Sequence, residues 1–285
     1  MDIGALYREV RDRFRAHAID TAELDARILV AAALKLDPSE VILKSDEHAD
    51  HQSCEAARIY ARNRISGKPV GRILGRREFW GLDFALNDET LEPRPDTEVL
   101  VDAVLCRSSP LEVLSFADIG TGTGAIAIAL LTERENASAV AIDISEGALR
   151  CAKRNAERLG VGDRVLFSCA NYGSALGAEV DWVISNPPYI RTKVIEELSP
   201  EVRVHDPERA LDGGSDGLEA YRAIVDRAGE VLGASGRIAL EIGFDQAMDV
   251  SEMLRRADFV DIEIIQDLAG CDRVVVAKRN EIGRF

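Results

Sequence analysis

Phe116-Ala117-Asp118-Ile119-Gly120-Thr121-Gly122-Thr123-Gly124 is the stretch on which the reading of this chain turns. An apolar run ending in alternate glycines, followed by a second apolar-rich segment, reads as strand, tight loop and helix. Glycine lets the backbone turn sharply and approach a ligand without side-chain obstruction. In an open α/β sheet, the crevice above the first strand–helix turn is a ligand site. Asp143 follows about 20 residues later, at the end of the next apolar segment, where its carboxylate can accept two hydrogen bonds from a ribose diol. Gly120, Thr121, Gly122, Thr123, Gly124 and Asp143 are therefore expected to bind an adenosine-containing cofactor. Gly120-x-Gly122-x-x-Ala125 fits NAD as well as S-adenosylmethionine, so both stay open at this point. Asp118 either contacts the cofactor or holds the loop.

Outward from this loop, strands are expected at 113–119, 138–143, 163–169, 180–185, 237–242, 260–266 and 273–278. Helices fit at 124–134, 146–159, 217–232 and 246–257. Alternation of strand and helix implies a parallel sheet covered on both faces. The last two strands are separated only by Asp267 to Asp272, too short for a parallel crossover, so they should pair antiparallel. The fold class is thus α/β, a doubly wound Rossmann-like sheet with an antiparallel C-terminal hairpin. That is the shape of the S-adenosylmethionine-dependent methyltransferases.

The N-terminal part reads differently. Ile3, Leu6, Tyr7, Val10 and Phe14 recur at helical spacing, and three further helical segments follow, with Asp20 and Asp37 as candidate caps. The expected organisation is a helical bundle over 1–68, a connector with a β-hairpin over 69–91, and the cofactor domain over 92–285.

Asn186-Pro187-Pro188-Tyr189 separates the two cofactor readings. It follows the apolar strand Val180 to Ser185, fourth in the cofactor domain, whose C-terminal end should open beside the crevice. Proline fixes the backbone and carries no N–H, so the carbonyls here are not committed to a ladder. The Asn186 side-chain oxygen and the Pro187 carbonyl can together accept both hydrogens of an NH₂ group. Tyr189 offers an aromatic face to a planar substrate. An amide nitrogen is a poor nucleophile because its lone pair is delocalised into the carbonyl. Holding both hydrogens favours a geometry in which that lone pair points at an electrophilic methyl, and positioning of this kind contributes about 7–11 kcal/mol to lowering a barrier. Asn186, Pro187 and Tyr189 are the expected catalytic residues, with Pro188 completing the substrate contact.

The chain has 285 residues, 46% hydrophobic and 30% charged, enough for a small domain beside a larger one. Lys and Arg total 35 against 50 Asp and Glu, a net charge of −15. That balance argues against stable nucleic-acid binding, which needs clustered cations to neutralise phosphates. The five cysteines are odd in number and lack Cys-x-x-Cys spacing, so neither a disulfide framework nor a metal site is expected. Cys106, Cys151 and Cys169 lie in apolar-rich segments and are expected to pack in the core. With no signal-peptide pattern and no apolar run long enough to span a membrane, a cytoplasmic protein is expected.

The chain resembles the HemK/PrmC family, the peptide chain release factor N5-glutamine methyltransferases. The resemblance covers nearly the whole length. It is carried by Gly75 through Phe79-Trp80-Gly81, Pro93-Arg94-Pro95-Asp96-Thr97-Glu98, Gly120 to Gly124 and Asn186-Pro187-Pro188-Tyr189-Ile190. Ala210-Leu211-Asp212-Gly213-Gly214, Asp216-Gly217-Leu218 and Asp267-Leu268-Ala269-Gly270 with Asp272-Arg273 extend it. The resemblance implies S-adenosylmethionine at Gly120–Gly124, Asp143 and Asn186, with Tyr172 and its neighbour Asn171 beside the adenine. The family more often has Trp at the Tyr172 position. The resemblance also implies that the Gly-Gly-Gln glutamine of a class I release factor lies against Asn186, Pro187, Pro188 and Tyr189. The N-terminal helices, with basic Arg58, Arg62 and Arg64, are implied in recognising that partner. Thr97 or Asp96 is expected to cap the next helix. One departure is His205-Asp206-Pro207, where relatives often carry an aromatic residue and Glu before the proline. A monomer is expected.

Three other readings fit part of the pattern. A DNA adenine or RNA base N-methyltransferase would use the same tetrapeptide on a flipped base, against the charge. An NAD-dependent oxidoreductase would leave the tetrapeptide unused. A non-catalytic S-adenosylmethionine-binding module would not need intact Asn186 and Tyr189.

Overall fold

The computed structural model describes residues 1–172, 177 and 179–280, in two compact units. The first unit comprises Met1–Arg76 together with Pro200–His205. It contains α1 (Ile3–Ala16), α2 (Ala22–Leu34), α3 (Glu40–Leu43), α4 (His51–Ile65) and α5 (Val70–Leu74). The apolar stripe of α1 forms because Ile3, Leu6, Val10 and Phe14 return to one face every turn, and all four are buried against Ala26, Leu29 and Val30 of α2 and Ala57 and Ala61 of α4. Asp2 and Asp50 cap α1 and α4 by accepting from Ala5 N and Ser53 N. Asp20 does not cap α2. Thr21 holds that position with no side-chain bond, and Ser39 rather than Asp37 begins α3. The unit runs past residue 68 because Val70, Ile73 and Leu74 of α5 pack on the same core.

The basic side of α4 is largely spent inside this unit. Arg64 is buried and pairs with Asp25 at 2.7 Å and Glu201 at 2.6 Å, and Arg58 pairs with Glu9 and Glu55, each at 2.8 Å. Of the three arginines only Arg62 is exposed.

The second unit comprises Arg77–Ser199 and Asp206–Phe285. It opens with a two-stranded sheet of β1 (Arg76–Phe79), which begins at the unit boundary, and β2 (Leu82–Ala85). α6 (Glu98–Leu105) follows, and then β3 (Ser115–Ile119), α7 (Ala125–Glu133), β4 (Ser138–Asp143), α8 (Glu146–Arg158), β5 (Val165–Cys169) and β6 (Val180–Ser185). α9 (Pro200–His205) is the segment grouped with the first unit. α10 (Glu219–Val231), β7 (Leu232–Glu241), α11 (Ala247–Arg256), β8 (Phe259–Gln266) and β9 (Asp272–Arg279) complete the chain.

The seven strands run in the order β5-β4-β3-β6-β7-β9-β8. β9 is antiparallel to β7, and β8 to β9, as the short link required. Side chains alternate between two cores. Phe116, Ala139, Ala141, Trp182 and Ile184 face one, with α6 and α7; Ala117, Ile119, Ile142, Val183 and Ile238 face the other, with α10 and α11. The doubly wound class therefore follows from strands buried on both faces. β7 starts five residues before the expected strand because Leu232 pairs with Val180 across a register shift. Of the three cysteines expected in the core, only Cys151 is buried; Cys106 and Cys169 are exposed.

Candidate active site

The chain moves outward from β3 through β4 to β5 and then returns to place β6 on the other side of β3. This reversal opens a crevice at the C-terminal ends of the two central strands. Ile119 pairs in parallel register with Ile142 on one side and Ser185 on the other. Gly120, Asp143 and Asn186, each the next residue of its chain, are thereby brought to one rim.

Gly120, Gly122 and Gly124 have φ of 75°, 56° and 81°, the left-handed region that a Cβ disfavours. The turn is tied down by Gly120 N and Thr121 N, which both donate to Ile142 O at 2.8 and 2.9 Å. A Cβ on Gly120 or Gly122 would meet no atom nearer than 4.0 Å, so these residues keep open the space they border. Asp118 is fully buried, and its Oδ2 accepts from Thr121 Oγ1 at 2.7 Å and Ala127 N at 3.3 Å. Its role in the structure is to hold the loop. Burial, with Asp143 nearby, pushes its carboxyl up to about 6. The Asp143 carboxylate accepts from Gly122 N at 2.9 Å and Ser145 N at 2.8 Å, and burial raises its pKa against those bonds.

At the end of β6, Ser185 Oγ donates to Ile119 O at 2.6 Å and locks the two strand ends together. Asn186 Nδ2 donates to Thr97 Oγ1 at 3.1 Å. Among the described residues neither Asn186 Oδ1 nor the Pro187 carbonyl is engaged in a hydrogen bond. Thr97 precedes α6 but makes no side-chain capping bond. The expected helix cap is in fact the partner of Asn186. The 210–218 stretch is pressed against the tetrapeptide. Gly213 N donates to Ile190 O at 2.8 Å, and a Cβ on Gly213 would lie 2.8 Å from Pro188 O and from Tyr189 Cα. Gln246 Nε2 donates to Tyr189 O at 3.0 Å and to Gly217 O at 3.0 Å. Burial and the charge of Glu241 push the Tyr189 phenol up to about 12.

Glu241, at the end of β7, is 1% exposed, and its Oε2 has no hydrogen-bond partner among the described residues. Burial pushes its carboxyl up to about 7, against the lowering effects of the Thr97 hydroxyl, the Arg273 charge and the Tyr189 phenol. A carboxyl raised in this way favours the fold in its protonated form. That advantage is complete below the ordinary value of 4.5 and is lost as pH rises through about 7. Replacing Glu241 with Gln is therefore expected to stabilise the chain at pH 8 by about 3 kcal/mol, and to change little at pH 4. Urea unfolding at the two pH values measures this, and an equal change at both would contradict it.

One cavity unites these parts. It is lined by Gly120 to Thr123, Asp143, Asn171, Tyr172, Asn186, Pro187 and Pro188. Gly124 and Tyr189 are not among its lining residues. Gly124 lies beneath the loop against Ile128 and Ala152, and the Tyr189 ring packs on the second core. Sequence reasoning missed Ile144, an apolar side chain 61% exposed beside Asp143, as well as Thr97 and Arg209. It missed Glu89 too, which accepts from Ser145 Oγ and from Arg209. Ile144 could have been found as the residue that follows Asp143. Glu89 sits in a connector with no periodic signal. Arg94 also lines the cavity and is held by buried Asp206 at 2.5 Å, so the family-specific Pro-Arg-Pro segment and the departing His-Asp-Pro segment meet. A side-chain-free glycine cradle, the Asp143 carboxylate at its rim, and Ile144 and Tyr172 as apolar flanks fit S-adenosylmethionine.

Residues 5–75 match the PrmC N-terminal domain and residues 96–216 the methyltransferase small domain. The release factor glutamine methyltransferase of Bradyrhizobium diazoefficiens is 45% identical, covering 97% of this chain and 95% of its own. That of Agrobacterium fabrum is 44% identical, covering 94% of each. Among solved structures, a methyltransferase from Pyrococcus furiosus superposes with a TM-score of 0.53 at 17% identity, over 80% of this chain and 99% of that one, a likeness of fold.

Proposed function

The chain belongs to the release factor glutamine methyltransferases, and from that premise we propose how its residues act. It is an S-adenosylmethionine-dependent enzyme that methylates the side-chain amide nitrogen of a release factor glutamine. S-adenosylmethionine, when bound, supplies an electrophilic sulfonium methyl group. Gly120 to Thr123 hold it through their backbone, Asp143 through its ribose, and Ile144 with Asn171 and Tyr172 flank the adenine. The observation that carries the chemistry is the pair of unengaged acceptors, Asn186 Oδ1 and the Pro187 carbonyl, at the rim shared with Gly120 and Asp143. These two accept the two hydrogens of the glutamine NH₂ group and turn its nitrogen toward the cofactor side. Pro188 shapes the contact. The Tyr189 ring supports the tetrapeptide from behind, which is a narrower role than a stacking face.

The substrate is further read as the Gly-Gly-Gln glutamine of a class I release factor, recognised in part by the N-terminal helical unit. The enzyme acts as a monomer in the cytoplasm. Among the described residues, no helix is long and apolar enough to cross a membrane. The test is methyl transfer from labelled S-adenosylmethionine to a purified class I release factor, to the same factor with that glutamine replaced, and to double-stranded DNA. Label on the normal factor alone is the expected result. Label on DNA would replace the reading with a base methyltransferase.

A further inference from the structure

We infer that Gln246 is a positioning residue for methyl transfer: it clamps the Tyr189 carbonyl and so fixes the direction of the Pro187 carbonyl that receives the substrate amide. The inference rests on the proposed role of that carbonyl, and its first test does not.

The two prolines create the need for a clamp. Neither Pro187 nor Pro188 has an N–H, so no hydrogen bond donated by either can hold the backbone between Asn186 and Tyr189. Their rings fix φ, but each ψ can still turn, and ψ of Pro187 aims the Pro187 carbonyl. That direction is therefore set from the two ends of the segment. At the upstream end Ser185 Oγ donates to Ile119 O at 2.6 Å, and β6 is paired on both sides. At the downstream end stands Gln246. Its Nε2 donates to Tyr189 O and to Gly217 O, each at 3.0 Å. Its Oε1 accepts from Gly243 N at 2.9 Å and from the Tyr221 hydroxyl at 3.2 Å, a proton that Glu241 O shares at 3.0 Å. All four hydrogen-bonding positions of the amide are thus filled, in a residue 2% exposed. Gly243 N can only donate and the two carbonyls can only accept, so one orientation of the amide fits. Ile190 N donates to Leu211 O at 3.0 Å and holds the other side of the same peptide group, whose plane then cannot pivot.

Two features show that Gln246 serves this contact and not the helix it begins. It occupies the N-cap of α11, where Ser, Thr, Asp or Asn would bond the first turn, yet its side chain makes no capping bond. A local rule broken in this way marks a functional demand. The surroundings also leave no slack. A Cβ on Gly217 would lie 2.5 Å from Tyr189 O and 2.8 Å from Gln246 Nε2.

The first readout needs no substrate. Tyr189-Ile190 is the sole Tyr-Ile pair in the chain, so full-length protein carrying ¹³C at its tyrosine carbonyls and ¹⁵N in its isoleucines gives one coupled signal. In Gln246→Met, which keeps the length of the side chain and loses its hydrogen bonds, the Tyr189 carbonyl resonance should move upfield. An unmoved resonance overturns the clamp. Turnover tests its purpose. Gln246→Met should lower kcat about 20-fold, since a misplacement of about 1 Å can cost about 10²-fold. The S-adenosylmethionine Kd and the release factor KM should stay within threefold. A kcat within twofold of wild type, or a cofactor Kd raised as much as kcat is lowered, overturns the positioning role. Gln246→Glu is the second variant. As a carboxylic acid it keeps one donor and as a carboxylate it has none, so the ratio of its kcat to that of wild type should fall as pH rises from 6 to 9. Tyr189, Tyr221, Glu241 and Arg273, the titratable and charged groups around this position, are present in both chains and cancel in the ratio. A flat ratio overturns the role even where Gln246→Met does not fold. If wild type labels another acceptor in place of a release factor, the substrate reading falls, and the same comparisons are made on that acceptor.

Discussion

Asn186→Ala is expected to lower kcat about a thousandfold while changing the S-adenosylmethionine Kd by less than about threefold. In the proposed mechanism the side chain supplies one of two acceptors for the amide hydrogens, and removing one preorganised polar group of this kind costs about 10²–10³ in rate. In that mechanism the cofactor is held mainly elsewhere, by the glycine turn and Asp143, so binding should survive. The backbone is anchored by Ser185 Oγ on Ile119 O and by the strand register, neither of which uses the Asn186 side chain. Single-turnover methyl transfer with saturating cofactor separates the two quantities. Activity within tenfold of wild type would mean that the acceptor nitrogen is held by other groups.

Asp143→Ala is expected to weaken S-adenosylmethionine about 10–100-fold, the loss of hydrogen bonds to a charged acceptor at about 1.5–3 kcal/mol. Two effects contribute. The carboxylate is lost to the ribose, and Gly122 N and Ser145 N lose the acceptor that shapes the loop around it. S-adenosylhomocysteine shares the ribose and lacks only the methyl, so its affinity should fall by the same factor. Calorimetry with both ligands measures this. An unchanged Kd for either would remove Asp143 from the cofactor site, and unequal losses would point to the sulfonium end instead.

Much of this was legible without coordinates. The glycine turn, Asp143 and the Asn-Pro-Pro-Tyr segment each carry a local signal, because φ above zero, a strand end and an N–H-free backbone are properties of a few adjacent residues. The same holds for the C-terminal hairpin, whose short link leaves one geometry. Those residues determine the fold class and the reaction type by themselves. Other features were not legible, since their meaning depends on a partner far along the chain. Thr97 reads as a helix cap until β6 brings Asn186, 89 residues later, to its hydroxyl. Arg64 reads as a surface cation until Asp25 and Glu201 bury it. Glu241 reads as one charge in an apolar strand, and only the parallel placement of β7 beside β6 puts it behind Tyr189. Local backbone chemistry is written in neighbouring residues. The partner of the Asn186 amide and the burial of Glu241 are decided only when distant segments come together.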